Sequence, residues 1–285
     1  MEKVGKDVVR FQVGDRVTAD ANLPCGTCYY CIRGEVQFCE NNRAYGQSLN
    51  GGFAQLVAVD ESLVYKVPDS VSLRAASMTE LVGCVYNCME RCNFKYGSEV
   101  LILGGGASGN LIAQMVKNSN AATVVVDCVA SKLERLKPVG VKTILADKDD
   151  PEVHEAVLKE QYPRGFDYII DTTANPKLIS RSLYLLKRGG TFVNYGFQNN
   201  VKVAEQVQID MKLFVTRQLS YLGTTFQHFK FPQTLKAMEE KRVDPELAIS
   251  EIRPLDDFFE CMDKVLYDPE TVKIVLEPNG SSEGM

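Results

Sequence analysis

Residues 99–127 read EVLILGGGASGNLIAQMVKNSNAATVVVD. A short apolar run leads into three consecutive glycines, a stretch with helical spacing follows, and a second apolar run ends on an acid. Gly104, Gly106 and Gly109 satisfy G-x-G-x-x-G, and Asp127 lies 18 residues beyond Gly109. Such a triplet carries little weight alone. Between an apolar strand and a helix, with an acid at that distance, it reads as a dinucleotide-binding unit. Glycines let the turn close and let backbone approach a pyrophosphate, whose charge then meets the free N–H groups at the helix N-terminus. Asp127 would accept hydrogen bonds from the ribose hydroxyls and repel a 2′-phosphate, so NAD is expected rather than NADP. A tight glycine turn without ligand is the plainer reading of the same residues.

Outward from this unit the pattern repeats. Apolar strands are expected at 99–104, 122–127, 142–146, 166–171, 190–196 and 220–225, with helices at SGNLIAQMVKNS, ASKLERL, PEVHEAVLKEQ and PKLISRSLYLLKR between them. Near-continuous apolar strands separated by helices call for a parallel sheet covered on both faces, the doubly wound α/β plan. Residues 8–70 read differently, as short strands and turns (VGDRVTA, a cysteine loop, GGFAQLVAVD, SLVYKVPDS). The last apolar run, VKIVLEP, looks like a strand returning to that mostly β unit, and the polar tail NGSSEGM is expected to fray. The expected division is 1–75, 76–225 and 226–285.

The mostly β unit holds PCGTCYYCIRGEVQFCE, in which Cys25, Cys28, Cys31 and Cys39 are spaced C-x2-C-x2-C-x7-C. Four thiolates this close converge on one tetrahedral ion, and a closed sulfur shell leaves zinc no open position, so such a zinc is structural. Local disulfides or unrelated thiols are the other readings. Cys84, Cys88 and Cys92 recur every four residues and fit one packed helix face. The two histidines offer little: His154 is expected on an exposed polar helix, and His228 borders the end of the last strand of the sheet.

Composition narrows the class. The chain has 285 residues, 45% of them hydrophobic, enough for one large or two medium domains. Its net charge of −5 is spread without a basic run, which argues against nucleic acid. No window reaches the length of an apolar membrane span, no signal peptide is evident, and a cytoplasmic protein is expected.

The cysteine loop, GGFAQLVAV (51–59), GGGASG with Asp127, and RGGTFVNYG (188–196) occur together in one order. In this the chain resembles the zinc-containing medium-chain dehydrogenases, most of all the sorbitol, xylitol and arabinitol dehydrogenases, over about residues 2–278. That resemblance implies a GroES-like catalytic domain beside a Rossmann domain, and NAD-dependent oxidation of a secondary alcohol whose oxygen a second, catalytic zinc polarises. It implies that Cys25, Cys28, Cys31 and Cys39 hold the structural zinc and that Glu80, in MTELVGC, stands at the catalytic metal. Gly104, Gly106, Gly109, Asp127 and Lys132 would contact the cofactor, and Thr172, Thr173, Gly223 and Thr224, at strand C-termini, would line its nicotinamide end, with ordinary turn chemistry the other reading of these positions.

The resemblance also shows a departure. In that family a cysteine and a Gly-His-Glu segment precede the stretch matching EKVGKDVVRFQVGDRV (2–17), so two of three catalytic-metal ligands are expected to be missing and the catalytic zinc not to be held by this chain. A partial GroES-like domain with an unpaired edge follows. An inactive NAD-binding fragment that partners full-length subunits is the alternative, and a zinc-independent relative of quinone reductases a third. The substrate is expected to be a small alcohol or polyol, and the assembly a homodimer or homotetramer that pairs sheets through QLSYLGTTF (218–226).

Overall fold

The computed structural model describes residues 1–196, 207–227 and 229–280. His228 and the end of the polar tail lie outside them. Contacts divide the chain into one unit of residues 1–86 and 226–285 and another of residues 87–225.

The second unit is built on a six-stranded sheet, every pairing parallel. Its order is Ser220–Gly223, Leu186–Asn194, Phe166–Asp171, Glu99–Leu103, Ala122–Asp127, Lys142–Leu145. The chain starts in the middle at Glu99 and winds out to one side, then crosses to the other at Phe166. That reversal puts a crevice at the C-terminal ends of Glu99–Leu103 and Phe166–Asp171. Val100 to Leu103, Val124 to Val126, Ile169 and Ile170 are buried, because helices cover both faces of the sheet. Helix Ala107–Asn118 contributes Leu111, Ile112, Ala113 and Val116 to that cover.

Two expectations are corrected in this unit. The helix read through Arg188 stops at Ser182, and after a short 3-10 turn the strand begins at Leu186 rather than Gly190. Leu185 and Leu186 are buried, and Leu186 pairs with Phe166 across an irregularity in the register. The pull of the core on those leucines outweighs the helical spacing of the sequence. His154, expected on the surface, is only 5% exposed, because helix Pro151–Gln161 turns His154 and Leu158, one turn apart, inward.

The first unit is not mostly β as a whole: its short strands are sparsely paired, and helices Leu73–Ser77, Phe231–Glu239 and Phe258–Tyr267 supply more of it. Val17–Ala19 runs antiparallel to Val64–Lys66, Asn22–Leu23 to Arg43–Ala44, and Glu251–Pro254 lies parallel to Ile274–Glu277. The terminal strand falls in this unit, but it pairs with Glu251–Pro254 and joins none of the N-terminal strands Val17–Ala19, Asn22–Leu23, Arg43–Ala44 or Val64–Lys66. The expected strand in GGFAQLVAVD does not form, and Phe53 and Leu56 are exposed. Alternation alone does not make a strand where no partner lies alongside. Helix Thr79–Cys92 starts in this unit and ends in the other, with Val82, Val85, Cys88 and Cys92 buried and Cys84 half-buried.

Candidate cofactor and metal sites

The glycine loop has the geometry of a cradle. Gly104 takes φ +99°, which favours glycine, and a Cβ there would lie 2.5 Å from Thr172 Oγ1. A side chain at Gly109 would collide with the Gly104 carbonyl. Gly106, which caps helix Ala107–Asn118, faces open space, with nothing within 4 Å of where its Cβ would stand. Two of the three glycines therefore close the turn, and the third leaves room beside the first-turn N–H groups, which have no intrahelical acceptor.

Asp127, at the end of its strand, is tied to the loop. The Gly105 N–H donates to Asp127 Oδ2 at 2.7 Å and the Val129 N–H to Oδ1 at 2.8 Å. Each carboxylate oxygen keeps a lone pair, the arrangement a vicinal diol needs. Lys132 stands close by on helix Ala130–Glu134, its Cβ near Gly105.

Thr172 and Thr173 lie at the crevice edge. The Thr172 hydroxyl donates to the Leu103 carbonyl at 2.8 Å, linking the two central strands just below the loop. Thr173 donates its hydroxyl to Asp171 Oδ1 at 2.6 Å. Asp171 has no solvent exposure, and it also accepts the Thr173 and Ala174 N–H groups. Burial raises its carboxyl above the ordinary value. Sequence reasoning missed this residue; the signal was an acid ending an apolar strand, as Asp127 does. Gly223 is exposed at the end of its strand, while the Thr224 hydroxyl is buried with no hydrogen-bond partner among the described residues. A buried orphan hydroxyl at a strand C-terminus is open to a ligand's polar group.

In the other unit the four cysteines converge, with all four sulfurs within 4.8 Å of one another. Cys25 and Cys31 are 4.0 Å apart, as are Cys28 and Cys39. A tetrahedral zinc with bonds of about 2.3 Å sets its thiolates ~3.8 Å apart, so the cluster fits that ion. The Cys28 N–H donates to Cys25 Sγ and the Cys25 N–H to Cys39 Sγ, both at 3.3 Å. The backbone N–H groups of Thr27 and Cys28 hold the Cys25 thiol down at about 6, which favours the metal-binding thiolate. Burial and the neighbouring thiols push Cys31 up to about 12.

Glu80 lies in the first turn of helix Thr79–Cys92 and accepts from the Cys84 thiol at 3.2 Å. Burial, then the Glu80 carboxylate, push that thiol far above its usual range, so Cys84 is protonated. Asp20, 8% exposed, adds to the same push and accepts from the Asn22 N–H at 2.9 Å and from Gln227. Among the described residues the four cysteines are the one convergent group of three or more metal-donor side chains. One carboxylate and one thiol fall short of the three ligands a catalytic zinc takes. These residues do not fit that ion.

Known proteins agree with this geometry. A family profile described as a zinc-binding dehydrogenase matches residues 107–240, and one described as an alcohol dehydrogenase GroES-like domain matches residues 1–69. D-altritol 5-dehydrogenase of Agrobacterium fabrum is 30% identical over 278 residues, 95% of this chain and 79% of that protein. The chain belongs to the zinc-binding dehydrogenase family. This dehydrogenase also shares 28% identity with D-arabinitol dehydrogenase 1 of Uromyces fabae, over 96% of its own length and 78% of the relative's. The crystal structure of a zinc-binding dehydrogenase from Sinorhizobium meliloti bound to NADP superposes with a TM-score of 0.86 at 27% identity, covering 97% of this chain and 80% of that one. Its relatives place the dehydrogenase among oxidoreductases acting on CH–OH groups, with a Rossmann-like sheet and a GroES-like unit. Among the described residues no helix is long and apolar enough to cross a membrane.

Proposed function

We propose that this chain is an NAD-dependent dehydrogenase of polyols, with NAD on the glycine loop and a structural zinc in the cysteine cluster. The observation that carries the reading is the Gly105–Asp127 link, which aims a carboxylate beside the pyrophosphate cradle. Bound NAD supplies a hydride acceptor for the carbinol carbon of a secondary alcohol.

The residues' parts follow from their chemistry. Gly104 and Gly109 close the turn, Gly106 leaves space for the pyrophosphate, and Asp127 takes the ribose diol with Lys132 beside it. The carboxylate sits where NADP would carry a phosphate, and this favours NAD. Thr172, Thr173, Gly223 and Thr224 line the nicotinamide end, with the Thr224 hydroxyl unspent among the described residues. Cys25, Cys28, Cys31 and Cys39 hold zinc for shape. Glu80 is the residue the family resemblance sets at the catalytic metal; since the described donors do not complete that site, no step is assigned to it. Residues 76–225 are the cofactor-binding part, and 1–75 with 226–285 the catalytic part. The polyol class is supported by relatives that include D-arabinitol and D-altritol dehydrogenases. A cytoplasmic homodimer or homotetramer accords with nine free cysteines and with the exposed edge strand Ser220–Gly223.

The test pairs zinc per chain with NADH formation from D-arabinitol, xylitol and sorbitol. Turnover on a polyol supports the reading. NAD binding at one zinc per chain with no turnover on any of them would instead favour a cofactor-binding partner of other subunits.

A further inference from the structure

The sheet of the second unit has a cationic groove at the end away from its glycine loop. Its walls are the first residues of strands Phe166–Asp171 and Leu186–Asn194, and because all strands are parallel this is the N-terminal edge. The groove encloses roughly 560 Å³. Lys159, Arg164, Lys187, Arg188 and Arg217 line it and no acid does, in a chain whose net charge is −5.

Two of those charges are spoken for. Lys187 lies 2.5 Å from Glu99 and 2.9 Å from Asp167, and Lys159 lies 3.6 Å from Glu155. Arg164, Arg188 and Arg217 have no ion-pair partner among the described residues, and Arg217 reaches only the Tyr184 and Leu186 carbonyls at 3.4 Å. The backbone presents the first two deliberately. Arg164 and Arg188 each precede a glycine with positive φ, Gly165 at +81° and Gly189 at +76°. The turns touch, since a Cβ on Gly165 would collide with the Leu185 carbonyl and one on Gly190 would come within 3.1 Å of the Phe166 carbonyl. Two Arg-Gly turns in backbone contact, with Arg217 alongside, hold three guanidinium groups around one concavity. Guanidinium forks match the oxygens of phosphate in bidentate pairs.

We propose that this groove binds a small phosphate-bearing anion, separately from the dinucleotide. The exposed ring of Tyr184 and the half-buried ring of Tyr162 on its wall give an organic portion of the ligand a surface to lie against.

Calorimetric titration of the intact protein with inorganic phosphate, glycerol 3-phosphate and ADP, at low salt and with saturating NAD present, tests it. Saturable binding of at least one ligand is expected, weakened at least tenfold in the double variant Arg164→Gln/Arg188→Gln, whose NAD affinity stays within twofold. Equal affinity for all three ligands would assign the site to free phosphate, and tighter binding of an ester to its organic portion. Absence of binding at millimolar concentration, binding indifferent to the two substitutions, or binding abolished by saturating NAD would each overturn the proposal.

Discussion

The Gly105 N–H and the Asp127 carboxylate, 22 residues apart, meet at 2.7 Å. The bond ties the glycine loop to Asp127, the residue proposed above to take the ribose diol, so shape at one is felt at the other. Asp127→Asn keeps an acceptor for Gly105 but loses the charge that strengthens bonds to the diol and repels a 2′-phosphate. NAD affinity should fall about tenfold, or about 1.4 kcal/mol. The preference for NAD over NADP should narrow as well. Fluorescence titration with both dinucleotides checks this, and an unchanged NAD:NADP ratio would remove Asp127 from the cofactor site.

Gly106 and Gly109 separate binding from folding. Gly109→Ala drives a methyl into the Gly104 carbonyl and must shift the loop, so both stability and NAD affinity should drop. Gly106→Ala meets open space from an ordinary φ of −64° and should cost less than about 0.5 kcal/mol of stability. It nonetheless puts a methyl into the space proposed for the pyrophosphate, and NAD affinity should fall severalfold. Thermal melts with and without NAD read both effects; wild-type NAD affinity in Gly106→Ala would argue that the pyrophosphate lies elsewhere.

The glycine loop and cysteine lobe were legible because their determinants are local: spacing within a few residues fixes both. What stayed hidden depends on distant partners. Asp171 reads as a strand end until Thr173 and Ala174 fold back on it. Leu186 looks helical until Phe166 pairs with it. His154 is masked by Glu152, Glu155, Lys159 and Glu160 around it, and only Leu158 hints that its face turns inward. Residues 51–60 have the composition of a strand, but pairing is a property of two segments and the sequence shows one.

His154 should make stability depend on pH. Burial lowers its pKa below 6.5, and Nδ1 has no partner among the described residues. Below pH 6.5 the unfolded chain takes up a proton that the folded one resists, so stability is present above that pH and is lost as pH falls. One proton contributes at most about 1.4 kcal/mol per pH unit. His154→Leu keeps the site apolar, so the difference in urea midpoint between pH 7.5 and 5.5 should shrink relative to wild type. Equal pH dependence in both proteins would mean that His154 is protonated in the fold.

The cysteine lobe should carry one zinc and need it. Around Cys25–Cys39 there is little else to hold the chain: helix Tyr29–Ile32 spans four residues and buries none of them, and the adjoining pair Asn22–Leu23 with Arg43–Ala44 is two residues long. A lobe with so small a core owes its order to the metal. A strong chelator should therefore expose four thiols to a thiol reagent, raise proteolysis between Asn22 and Arg43, and lower the melting temperature. Cys31→Ser should likewise loosen the lobe without chelator, exposing its three remaining thiols and lowering the melting temperature. Because the glycine loop belongs to the other unit, built on its own six-stranded sheet, NAD affinity should survive either treatment within about twofold. Loss of NAD binding together with the zinc would show instead that the metal orders more than its own lobe.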